Sequence, residues 1–162
     1  MCDPVVACVA LGSNLDDPRR QVERGFDALA ALPDTVLRAR SRLYRTPPWG
    51  VLEQPDFVNA VAQIETGLAP RALLDALLAI EARAGRVRGQ PNGPRVLDLD
   101  LLLYGNAELV EPGLAIPHPR LRERAFVLLP LADVAPDCEV PGQGRVRNLL
   151  ACVDTTGCVP LG

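Results

Sequence analysis

The segment Val96-Leu-Asp-Leu-Asp-Leu-Leu-Leu-Tyr104 leaves this chain few ways to fold. Leucines alternate with two carboxylates and then run together, between a Gly/Pro-rich stretch and Gly105-Asn106, which predicts a buried strand. Alternation places Val96, Asp98, Asp100 and Leu102 on one face and Leu97, Leu99, Leu101 and Leu103 on the other. The two carboxylates then lie roughly 6–7 Å apart along the strand. Neighbouring carboxylates among apolar side chains repel each other and resist desolvation unless a cation stands between them. Mg²⁺ suits such a pair, because it is commonly held by one or two carboxylates together with substrate phosphates. Just upstream, Arg86-Val-Arg-Gly-Gln-Pro-Asn-Gly-Pro-Arg95 supplies arginines, the usual partners of phosphate oxygens. A D-x-D on a strand is also common as the solvated face of an edge strand. The leucine run and the arginines favour a metal-assisted phosphate site.

The rest of the composition narrows the class. At 162 residues, 48% of them hydrophobic, the chain is expected to form a single domain over 1–162. A net charge of −3 argues against a general nucleic-acid binder, which needs a basic excess. All 17 Lys-plus-Arg residues are arginine, which excludes a Walker lysine and any Schiff base. Cys2, Cys8, Cys138, Cys152 and Cys158 are odd in number, lack C-x-x-C spacing and accompany a single histidine, so a structural zinc site is not expected. Reduced thiols in a cytosol are the default. The apolar run from Val5 to Leu11 is too short for a signal peptide, and no run reaches membrane-span length. A soluble, cytoplasmic monomer is expected, with no membrane partner.

Val5–Leu11, bounded by Pro4 and Gly12, is expected to be a buried strand. A turn follows, with Asp17 as N-cap and Pro18 at the first helical position. Val22, Phe26, Leu29 and Leu32 form the helical stripe, which Pro33 ends. From Thr35 to Tyr44 a strand is expected with Val36, Arg38, Arg40 and Arg42 facing opposite to Leu37, Ala39 and Leu43. A stiff loop, Arg45-Thr-Pro-Pro-Trp-Gly50, leads to a strand from Phe57 to Glu65 with Phe57, Asn59, Val61 and Gln63 on one face. Leu73, Leu74, Leu77, Leu78 and Ile80 predict a helix from Pro70 to Ala84, with Gly85 as its C-cap. The resulting β-α-β-β-α-β order is that of a ferredoxin-like α+β sandwich. Short C-terminal helices are expected around Arg122–Leu129 and Val146–Cys152, and a loose tail over 154–162.

Few residues outside the Asp pair offer chemistry. His118 lies in Ile116-Pro-His-Pro-Arg120, just before Arg122 and Arg124, a cluster suited to an oligophosphate. No G-x-S-x-G elbow, Walker loop or kinase H-R-D is present. Phe57 and Phe126 serve either as core or as a pair of rings around a flat heterocycle whose edge Asn59 reads.

Gly12-Ser-Asn14, Tyr44-Arg-Thr-Pro-Pro48, Gln54-Pro-Asp-Phe-Val-Asn59, Gly93-Pro-Arg-Val-Leu-Asp-Leu-Asp100 and Pro117-His118 with Arg124-Ala-Phe126 follow one another in a specific order and spacing. From Val5 to about Leu150 the chain resembles the 6-hydroxymethyl-7,8-dihydropterin pyrophosphokinase family. The resemblance implies a ferredoxin-like domain that transfers pyrophosphate from ATP to the pterin hydroxymethyl group, releasing AMP, in folate biosynthesis. It implies two Mg²⁺ ions on Asp98 and Asp100, and catalytic phosphate contacts from Arg86 and Arg95. It further implies ATP contacts from Arg88, His118 and Arg124, and a pterin pocket of Thr46, Pro48, Phe57, Asn59 and Phe126. Loop 86–95 would act as a substrate-ordered lid. The chain departs from some family members at Leu78, Asn92, Gly113 and Pro119, positions that bear on adenine contacts and loop closure. A competing class is a non-catalytic ferredoxin-like module that binds nucleotide or RNA through Arg38, Arg40, Arg42 and loop 86–95. The acidic balance and the paired aspartates weigh against it.

Overall fold

A computed structural model describes residues 3–48, 53–85 and 96–161. The elements are β1 (Val5–Ser13), α1 (Pro18–Ala30), β2 (Thr35–Arg40), β3 (Tyr44–Thr46), β4 (Phe57–Thr66) and α2 (Pro70–Arg83). They continue as β5 (Asp98–Tyr104), the hairpin β6 (Leu109–Glu111) and β7 (Leu114–Ile116), a 3₁₀ turn at Leu121–Glu123, and α3 (Ala125–Val134). The short β8 (Glu139–Val140), β9 (Gly144–Arg145), α4 (Val146–Leu150) and β10 (Val159–Pro160) complete the chain. The main sheet runs β10-β3-β4-β1-β5, with β2 also pairing β4, and every pairing is antiparallel.

Each face of this sheet needs apolar cover, and different helices supply it. On one face Phe26 and Leu29 of α1 and Leu73 and Leu77 of α2 pack over Val9, Leu11, Ala60, Ile64, Leu99 and Leu101. On the other, Val127, Leu128 and Leu131 of α3 cover Cys8, Val61, Leu102 and Leu103, joined by Val146 of α4. The stripe expected on α1 is buried at Val22, Phe26 and Leu29. The faces expected on β4 hold too: Val58, Ala60, Ala62 and Ile64 turn to the first core, while Val61 turns to the second. Burial pushes the Cys8 thiol up to about 12, so this cysteine is inert packing. Among the described residues no helix is long and apolar enough to cross a membrane.

Two alternation patterns break, both at β-bulges. Between Cys8 and Val9 the register of β1 on β5 slips by one, so Leu103 joins Leu102 in the second core instead of following Leu101. A second slip, between Leu37 and Ala39, divides the arginines of β2. Arg38 pairs with Glu65, whereas Arg40 crosses to the opposite face and stacks over the Phe26 ring at 4.5 Å. Arg42 binds Asp133 of α3. Arg38, Arg40 and Arg42 therefore do not share one continuous basic face. An extra residue in one strand reverses every side chain beyond it.

Other boundaries shift for local reasons. Asp17 stands at the N-cap of α1 but adopts a left-handed conformation and makes no side-chain cap bond. Arg124 is extended, which separates the 3₁₀ turn from α3 and moves that helix past the expected 122–129, with Pro130 accommodated inside it. Helix α4 ends at Leu150, short of Cys152. The tail is ordered rather than loose: β10 pairs with β3, Leu161 donates its N–H to Leu43 at 2.8 Å, and the Leu161 side chain packs on the first core. The open edge of β3 supplied the backbone partners that a loose tail would lack.

Candidate active site

The site grows from one row of residues across the sheet. Asp98 on β5 faces Gly12 on β1, Gly12 faces Asn59 on β4, and Asn59 faces Tyr44 on β3. Residues opposite one another share a face, here the face that α3 covers at its far end. Neighbouring strands lie about 4.8 Å apart, so Asp98 and Asn59 stand about 10 Å apart across the bare backbone of Gly12. That glycine is required by packing: a Cβ there would lie 2.6 Å from Asn59 Oδ1. The Asn59 amide thus leans over β1 toward the Asp pair.

Asn59 is held in place by Thr46, whose buried hydroxyl accepts its Nδ2–H at 2.7 Å. Thr46 itself pairs with Phe57 across β3 and β4. Pro48 follows on the same loop and is half-buried. Phe126, in the first turn of α3, packs partly against the second core and is half-buried, as is Phe57. The Arg124 guanidinium lies 5.5 Å from the Phe126 ring centroid. Thr46, Phe57 and Asn59 therefore cluster around one end of the sheet, and α3 brings Phe126 to the same face. Buried Asn14 donates to Gln54 Oε1 at 2.8 Å and to the Pro55 carbonyl at 3.0 Å, which pins the approach to β4 against the end of β1.

Asp100 follows Asp98 on the same face, opposite Ala10. Along the outer edge of β5 runs a cleft of about 360 Å³, lined by Leu74, Leu99, Asp100, Leu101, Glu111, Gly113, Leu114, Ala115, His118 and Pro119. His118 is anchored to β5 by its own N–H, which donates to the Leu102 carbonyl at 3.0 Å. Its Nδ1 accepts the Arg120 N–H at 3.2 Å, which assigns the proton of the neutral ring to Nε2. Burial pulls its pKa down to about 4; Arg124 and Arg120 push the same way, and Asp98 opposes them. For Arg124 burial lowers the pKa, while Asp100 and Asp98 raise it. Arg124 therefore feels both aspartates and His118 feels Asp98, and His118 is a neutral N–H donor at neutral pH.

Arg86, Arg88 and Arg95, together with Asn92, lie outside the described residues. Sequence reasoning overlooked Glu81. This α2 carboxylate is 2% exposed and accepts the Leu99 N–H at 2.7 Å, gripping β5 between the two aspartates. Its signal was present, since an acid four residues after Leu77 sits squarely on the buried stripe of α2.

The model of the family described as "7,8-dihydro-6-hydroxymethylpterin-pyrophosphokinase (HPPK)" matches residues 8–136. A Pseudomonas aeruginosa protein named 2-amino-4-hydroxy-6-hydroxymethyldihydropteridine pyrophosphokinase is 52% identical over 149 residues, covering 92% of each chain. Proteins of the same name from Methylorubrum extorquens and Haemophilus influenzae are 46% and 44% identical, covering 93% and 90% of this chain and 95% and 91% of their own. Among solved structures, wild-type Plasmodium falciparum HPPK-DHPS with pteroate superposes with a TM-score of 0.72 at 14% identity. That match covers 94% of this chain and 43% of the longer one, and at such identity it speaks for the fold. On the family model and on relatives alike at nearly full length, this chain belongs to the 7,8-dihydro-6-hydroxymethylpterin-pyrophosphokinase family.

Proposed function

We propose that the protein transfers pyrophosphate from ATP to the hydroxymethyl group of 6-hydroxymethyl-7,8-dihydropterin, yielding AMP and the pterin diphosphate for folate synthesis. The observation that carries this reading is the row Asp98–Gly12–Asn59, with the β5 cleft opening beside Asp100. It sets a polar shelf for a flat heterocycle and a cleft for a nucleotide on two sides of one carboxylate pair. On the shelf Asn59, steadied by Thr46, reads the pterin edge, and Phe57, Phe126 and Pro48 flank its faces. In the cleft Leu74, Leu101 and Leu114 grip the base, while His118 Nε2–H and Arg124 reach the phosphates. Arg86, Arg88 and Arg95 complete the phosphate contacts, with Arg86 and Arg95 meeting the charge that develops during transfer.

The donor set also suits Mg²⁺. Among the described residues no group of three or more His, Cys, Asp or Glu side chains gathers to cage a metal. Two adjacent carboxylates, one of them lining the cleft, are instead an arrangement in which substrate oxygens supply the remaining ligands. Two bound Mg²⁺ ions would neutralise phosphate charge and orient the reacting oxygens. The side chains contribute positioning: Asn59 and the rings hold the pterin, and His118 with the arginines holds the triphosphate for in-line attack. The strand order β5-β1-β4-β2 and the succession β1-α1-β2-β4-α2-β5 support a ferredoxin-like core with α3 and α4 added on the second face.

The test is direct. With ATP, Mg²⁺ and the hydroxymethyl-dihydropterin the protein forms AMP, and Asp98→Asn or Asp100→Asn abolishes turnover without lowering the melting temperature. Formation of ADP, or full activity in both variants, would overturn the assignment.

A further inference from the structure

One wall of the β5 cleft comes from outside the main sheet. Gly113, Leu114 and Ala115 come from the β6–β7 hairpin, whose two three-residue strands form a separate sheet. Leu114 and Ile116 root the hairpin in the first core, but Glu111, Pro112 and Gly113 at its tip are exposed, and Val110 is 87% exposed. An unsupported two-stranded hairpin is marginal in water. The tip is tied to α2 instead. One terminal nitrogen of Arg71 reaches Glu111 Oε1 and the Pro112 carbonyl, both at 3.0 Å. Arg71 lies three residues before Leu74, on the same side of α2, and Leu74 lines the same cleft as Leu114.

We propose that Arg71 is a positioning residue for the nucleotide: its bridge to Glu111 and Pro112 sets the gap between Leu74 and Leu114 and neutralises the carboxylate at the mouth of the cleft. The inference rests on reading this cleft as the ATP site. Two physical effects follow from the bridge. A base held between apolar walls loses contacts as soon as the gap widens by a fraction of an ångström. A bare Glu111 carboxylate beside a triphosphate adds like-charge repulsion. Arg71 suppresses both, although it touches neither the base nor the phosphates.

Arg71→Met keeps the apolar stem and removes the guanidinium. It is expected to raise KM for ATP about three- to tenfold, the range of a partly exposed ion pair plus one backbone hydrogen bond, with kcat and the pterin KM within about twofold. Arg71→Lys recovers part of the loss. Adding Glu111→Gln to Arg71→Met removes the bare carboxylate and lowers KM again, so the two effects are non-additive. An unchanged KM for ATP in Arg71→Met, or equal damage to both substrates and to kcat, overturns the proposal. Calorimetric binding of a non-hydrolysable ATP analogue separates this idea from the reaction itself. If the wild-type protein forms no AMP yet binds the analogue more tightly than Arg71→Met does, the bridge stands and the pyrophosphokinase reading falls. If the wild type does not bind the analogue, both fall.

Discussion

Glu81 offers the sharpest test of how the strand carrying the aspartates is held. Its carboxylate is 2% exposed and takes the Leu99 N–H at 2.7 Å, on a strand that ends the sheet order among the described residues. Glu81→Ala deletes the acceptor and leaves the Leu99 donor buried, at a cost of about 1–3 kcal/mol. For a domain of this length each kcal/mol lowers Tm by about 2–4 °C, so a drop of roughly 2–12 °C is expected. Glu81→Gln retains an acceptor oxygen for the Leu99 N–H, so its loss relative to wild type measures what the charge itself contributes. Activity should fall further than stability, because Leu99 lies between Asp98 and Asp100 and a displacement near 1 Å in a positioning strand costs about a hundredfold. Differential scanning calorimetry and AMP formation on the two purified variants measure both quantities. An alanine variant that melts within 1 °C of wild type, or above it, would refute the argument; the buried charge would then have been a net burden.

Two further predictions concern the shelf and the cleft. Gly12→Ala brings a methyl group to within 2.6 Å of Asn59 Oδ1, so the amide must swing away; the pterin KM should rise about tenfold, the worth of roughly one hydrogen bond, while KM for ATP stays near wild type in steady-state assays. His118, the chain's single histidine, has its folded pKa pulled down to about 4. In the unfolded chain the ring takes up a proton below about pH 6.5, so the ligand-free protein should lose stability as pH falls from there to about 4. Urea midpoints across that window should show this slope in the wild type and a flatter one in His118→Asn, and equal slopes would refute it.

Much of the site was legible because it depends on local pattern. The β4 face with Phe57 and Asn59 and the Asp98–Asp100 face of β5 follow from strand alternation. The helices α1 and α2 follow from apolar spacing and from Pro18, Pro33 and Pro70. Where alternation failed, at Leu103 and Arg40, the cause was a bulge, and a bulge is set by pairing with a partner strand. The expectation that Arg86 to Arg95 contact phosphate rests on their chemistry alone, and these positions lie outside the described residues.

By itself the sequence determined which elements form, which face of β5 bears the carboxylates, and which residue types are available to meet phosphate and a flat ring. Those properties reside in spacing and side-chain chemistry within a few residues. Tertiary structure decided the rest. It alone put Gly12 between Asp98 and Asn59, set Glu81 on the Leu99 amide, bound the tail to β3, and opened the cleft beside Asp100. Each of these joins segments far apart in the chain, and pairing register and helix docking settle such contacts only when the whole sheet is assembled.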